Sequence, residues 1–188
     1  MAFGNILSWV AGLPAKRAAW LALAGTALFL EGSALYFQYG LHLNPCVMCI
    51  YIRMAVLGLV AAGLLGAIAP SRPLMQWLGL AAWAAAAAEG LLLSRELIAI
   101  QTADPNSFTA VCSFLPKFPG WLPLHEWFPA FFMPTGSCTD DIWSWLGLSM
   151  AEWMQGVFIA YLAVLALVVI ARLAASPTAG ARADPAQG

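Results

Sequence analysis

The chain has 188 residues, 62% of them hydrophobic and 9% charged, with a net charge of −1. Soluble domains carry roughly 25% charged residues, so this chain has too few polar groups to cover a water-facing surface, and its composition places it in a lipid bilayer. No basic stripe marks it for nucleic acid, and no G-x-G-x-x-G, P-loop or H-E-x-x-H motif gives nucleotide or metal chemistry a foothold.

In chain order, residues 1–17 read as an N-terminal tail, and four runs reach the span of about 20 apolar residues that crossing the hydrocarbon requires. They cover about 18–39, 47–69, 74–94 and 153–174. The first, preceded by Lys16 and Arg17, is longer than the ~7–15 residues of a signal-peptide core. It ends in Tyr36-Phe37-Gln38-Tyr39, which suits an interfacial aromatic belt and not a small-residue cleavage site. The second opens at Cys46-Val47-Met48-Cys49. Pro70-Ser71-Arg72-Pro73 permits only a tight hairpin into the third, where Ala84–Ala88 allows close helix packing. Residues 95–152 form one long loop, and 175–188 read as a disordered tail. The expected fold is an all-α membrane protein: a four-transmembrane-helix bundle, residues 18–174, whose loop carries a short interfacial helix over the aromatic stretch Phe118–Phe128.

Orientation follows from the positive charges, which are retained on the cytoplasmic side. Lys16, Arg17, Arg72, Arg172 and Arg182 fall on one side, Arg95 and Lys117 on the other. Both termini are then cytoplasmic, and the loop faces a compartment where disulfides persist.

The four cysteines carry the chemistry. Cys46 and Cys49 form a C-x-x-C pair at a helix mouth, where the unpaired N–H groups of the first turn favour a thiolate. Packing and a zinc site are the competing readings. Cys46 and Cys49 stand beside Pro45 and a polar turn, and zinc needs four converging ligands that the distant second pair does not supply. Arg53 shares a helix face with both cysteines at i, i+3, i+7 spacing. An arginine about one turn inside the bilayer is costly: its charge would stabilise the Cys49 thiolate and donate to a bound acceptor, or else snorkel to the headgroups. Cys112 and Cys138, far downstream in the loop, are either a structural staple or a second dithiol that exchanges with the first. Three pairings of the four cysteines are possible. Glu31 and Glu89 are intramembrane carboxylates; Glu89, near the outer end of the third span, either pairs with Arg53 or helps pass protons, or else is protonated or snorkels outward. His42 and His125 are read as solvated loop residues.

The run Asn44-Pro45-Cys46-Val47-Met48-Cys49-Ile50-Tyr51-Ile52-Arg53 before an apolar span resembles the signature of the DsbB family of bacterial disulfide-bond formation proteins. Gly66–Pro70, Trp121-Leu122-Pro123-Leu124, Gly136-Ser137-Cys138 and Gly156–Tyr161 look like the same family, so that the likeness covers roughly residues 15–172. The resemblance implies an inner-membrane oxidoreductase that reoxidises a periplasmic DsbA-like thiol oxidase and passes electrons to a membrane quinone, ubiquinone or menaquinone. DsbA is a strong oxidant, so its reoxidation needs an acceptor of high potential. By similarity, Cys112 takes the mixed disulfide with the partner and Cys138 resolves it. Electrons then reach Cys46 and Cys49, with Cys49 meeting the quinone and Arg53 assisting. Where better-known members carry a basic residue near the third-span exit this chain has Ser94-Arg95-Glu96-Leu97, and no second quinone contact is assigned. The competing functions are a vitamin K epoxide reductase-like or paralogous thiol oxidoreductase and a non-enzymatic scaffold with structural disulfides.

Overall fold

The computed structural model describes residues 8–103, 116–118, 123–139 and 143–175. Four helices are long and apolar enough to cross a membrane. They are α1 (Arg17–Leu35), α2 (Val47–Ile68), α3 (Pro73–Thr102) and, after the short loop helices α4 (Leu124–Trp127) and α5 (Pro129–Phe132), α6 (Met150–Ala175). The protein is thus an all-α membrane bundle. α1 runs on into a π-helical turn, Tyr36–Gly40, and α6 is preceded by a small hairpin of β1 (Ser144–Trp145) and β2 (Leu148–Ser149).

α2 is the centre of the bundle, packed between α1 and α3, and α3 in turn packs on α6. Small residues set the approach. A Cβ on Gly63 of α2 would stand 2.8 Å from the α1 backbone at Trp20 and Ala24, and one on Gly90 of α3 would stand 2.2 Å from the Phe158 ring of α6. Only glycine admits those contacts, as expected where helix association in lipid rests on close packing. Phe158, against Gly90, is fully buried, as are Ile50 and Leu59. Among the described residues, α1 and α6 make far fewer contacts with each other than the other neighbouring pairs, although the Tyr161 hydroxyl bonds the Thr26 hydroxyl across the seam at 3.0 Å. The bundle is therefore open along one side.

α3 extends to Thr102, past position 94 where its apolar run gives out, and α6 begins three residues before 153. Arg95 and Glu96 are exposed; a helix needs no apolar side chain to continue above the hydrocarbon, so hydropathy alone understates its length. Within the aromatic stretch the loop has one short helical turn, α4, followed directly by a second, α5; residues 119–122 of the stretch lie outside the described residues. So do Cys112, residues 1–7 of the N-terminal tail, and 176–188 of the C-terminal one.

Candidate active site

Pro45 ends the polar turn and Cys46, with φ −80° and ψ 171°, is the N-cap of α2. Its Sγ accepts from the Cys49 backbone N–H at 3.2 Å, as an N-cap acceptor does, and the two sulfurs stand 2.6 Å apart. Both cysteines are free thiols. The hydrogen bond from the Cys49 thiol lowers the pKa of Cys46 most, burial opposes it, and the N–H groups of Cys49 and Met48 lower it further. The helix mouth thus favours the thiolate of Cys46, where spacing and Arg53 had pointed to Cys49.

The loop is pinned over this turn. The backbone N–H groups of Thr135 and Gly136 both donate to Pro45 O at 3.0 Å, and the Thr135 hydroxyl bonds Asn44 Oδ1 at 3.2 Å. A Cβ on Gly136 would meet Asn44 O at 2.3 Å, so the approach depends on glycine there. Two residues on, Cys138 is 2% exposed, in the same buried apolar cluster as Cys46, and disulfide-bonded.

Below the turn, a cavity of about 320 Å³ fills the seam between α1 and α6. Cys46, Cys49 and Arg53 line it from α2, Glu31 and Gln38 from α1, Trp143 and Trp145 from the loop. Arg53 is 5% exposed, so it does not snorkel. Its Nη1 donates to Gln38 Oε1 at 2.7 Å and to Phe131 O at 3.3 Å, and its Nε stands 3.9 Å from Glu31 Oε1. Arginine keeps its charge at any physiological pH and offers five donors, which makes it a tie between α1, α2 and the loop. The π-helical turn aims the neighbouring side chains the same way: Gln38 Nε2 donates to Ala130 O at 3.3 Å, and the Tyr39 hydroxyl bonds the same carbonyl.

Arg53 therefore pairs with Glu31 and not with Glu89. Glu89 stands exposed on the opposite side of α2, in a more open groove of about 590 Å³ with Tyr51, Gly58 and Ala86. His42 is exposed, but His125 is half-buried and stacks on Phe118 with ring centroids 5.7 Å apart. Spacing within α2 puts Cys46, Cys49 and Arg53 on one helix face, and the three line the same cavity. Glu31 and Gln38 were not assigned to the site because they come from another helix, and the one available signal was a lone acidic residue within an apolar run.

The seam thus holds a largely apolar cavity with a dithiol on one wall and fixed hydrogen-bond donors on another, the make-up of a small-molecule site. The family model described as Disulfide bond formation protein DsbB matches residues 16–168. Three proteins named Disulfide bond formation protein B are similar to the chain over most of their length. That of Shewanella sp. (strain MR-4) is 51% identical over 161 residues, 86% of this chain and 91% of the relative. That of Shewanella amazonensis is 53% identical over 155 residues, 82% and 90%. The one from Pseudoalteromonas translucida is 44% identical over 168 residues, 89% and 96%.

Proposed function

The chain belongs to the DsbB family of disulfide bond formation proteins, and on that premise we propose that it reoxidises a periplasmic DsbA-type thiol oxidase and delivers the electrons to ubiquinone or menaquinone. Cys112 and Cys138 are the partner-facing pair in this reading, and Cys46 and Cys49 the acceptor-facing pair. The observation that carries it is the position of the Cys46–Cys49 thiols, between a pinned loop above and a cavity with an arginine below. The inner membrane, with both termini cytoplasmic and the cysteines periplasmic, is the location this reading requires.

A bound quinone supplies a sink for two electrons and two protons. The chain's residues do the rest. Once Cys46 and Cys49 are joined as a disulfide, Cys46, next to the turn that holds the loop, is the sulfur placed for attack by a reduced loop thiolate: the loop sulfur bonds Cys46, the Cys46–Cys49 bond breaks, and Cys49 leaves as the thiolate. Cys49, one helical turn deeper and facing the cavity, is the sulfur nearest the acceptor's ring. Arg53, fixed by Gln38 and Phe131 O, is positioned to orient a carbonyl oxygen in the cavity. The apolar and indole walls exclude water from the exchange.

Purified protein should oxidise a reduced DsbA-type protein only when quinone is present, with loss of quinone absorbance in step. Cys49→Ala should abolish quinone reduction while leaving a trapped mixed disulfide through Cys112. Full activity in that variant would overturn the assignment. Thiol trapping in membranes separates a scaffold, whose disulfides stay oxidised whether or not quinone is available.

A further inference from the structure

One polar group on the cavity wall has no task in that relay. Glu31 is 5% exposed, lines the cavity with Cys46, Cys49 and Arg53, and neither of its carboxyl oxygens has a hydrogen-bond partner among the described residues. Arg53 Nε stands 3.9 Å from Oε1, beyond hydrogen-bonding range. A carboxylate kept solely as counter-ion to arginine takes the guanidinium hydrogens directly, often in a two-point clasp. Here Nη1 is spent on Gln38 and Phe131 O instead. The Ser33 hydroxyl, two residues on, is turned to Phe29 O. Glu31 thus has a charge nearby but open lone pairs, inside a cavity where a buried polar atom without a partner calls for a reason.

We propose that Glu31 is the proton-exchange group of the acceptor site, an inference that rests on the quinone-reductase reading above. Closing the Cys46–Cys49 disulfide releases two electrons and two protons. The quinone takes up both pairs and leaves as the hydroquinone. Glu31 accepts the two thiol protons one after the other as the S–S bond forms and releases each to an acceptor oxygen, so that it is unchanged after each turnover. The ionisable groups on the cavity wall are Cys46, Cys49 and Arg53 from the start of α2 and Glu31 from α1. α3 presents Leu97 and Gln101, and α6 only apolar and indole side chains. No other carboxylate or imidazole lines the cavity among the described residues.

Glu31→Gln keeps size and polarity but cannot take a proton. In the full-length chain it should lower kcat at least tenfold with the quinone KM within twofold, and remove the acid limb of the kcat–pH profile. Glu31→Asp should keep that limb at a lower rate. Infrared difference spectra between the reduced and oxidised chain give a readout independent of turnover: a carboxyl C=O band that follows the redox state, absent in Glu31→Gln and displaced in Glu31→Asp. A kcat within twofold of the parent with the acid limb intact, or an infrared band unaltered by both substitutions, overturns the proposal. Should the parent chain reduce no quinone at all, the functional reading fails instead, and the infrared band still decides whether Glu31 exchanges protons with the dithiol.

Discussion

Glu31 and Glu89 are both carboxylic acids within apolar runs, and they lie on opposite sides of the same central helix. Glu31 is buried beside Arg53 in the seam where α1 and α6 separate, lining the same cavity as two cysteines. Glu89 stands exposed in a groove floored by Gly58 and Ala86, with no cysteine on its wall among the described residues. The difference lies in what surrounds each residue. A carboxylate buried by protein is held against a chosen partner, whereas one on the bundle's outer surface can reorient at little cost to the fold.

The sharpest way to break this comparison is to remove the arginine from the Glu31 side. Arg53→Met should raise the apparent KM for quinone about tenfold or more, by steady-state kinetics, and far more than the KM for the protein partner. It also leaves Glu31 buried without its counter-charge, which costs roughly 3 kcal/mol and should lower the melting temperature. An unchanged quinone KM would reduce Arg53 to a structural tie.

Loosening the loop should act on the other substrate. Gly136→Val forces a Cβ into Asn44 O, which stood 2.3 Å from that position, and so frees Thr135 and Gly136 from Pro45. Partner oxidation should slow severalfold in stopped-flow assays, with the quinone KM within twofold. Equal losses on both substrates would mean that the loop and the cavity act as one unit.

A smaller effect concerns Cys46 alone. Its lowered pKa means that the reduced chain should alkylate at Cys46 at pH values where an ordinary thiol, of pKa about 8.5, is protonated. Cys49→Ala removes the largest cause of that shift, so the alkylation profile should move to higher pH. A profile that stays in place would assign the effect to the helix N-terminus by itself. Smallest of all, Glu89→Gln should change turnover less than twofold; a loss matching that of Glu31→Gln would erase the distinction between the two sides of α2.

Local signals were read well because their causes are local. Cys46, Cys49 and Arg53 share a face through the geometry of one helix, and the proline pair at 70 and 73 bends the chain wherever α2 and α3 end up. The extension of α3 to Thr102 was missed because a hydropathy window stops at Arg95 while a helix does not. Glu31 was seen as costly but could not be placed, since its partner comes from a residue 22 positions later on a different helix.

By itself the sequence determined four membrane helices, a dithiol at the mouth of the second and an arginine one turn below it. Apolar length and helical period act within a segment and need no knowledge of its neighbours. Tertiary structure alone decided which carboxylate meets Arg53, that the loop is pinned to Pro45, and that α1 and α6 part to leave a cavity. Those outcomes depend on how side chains from separate helices fit together: Gly63 and Gly90 draw their helices tight, and among the described residues no comparable glycine contact closes the α1–α6 seam.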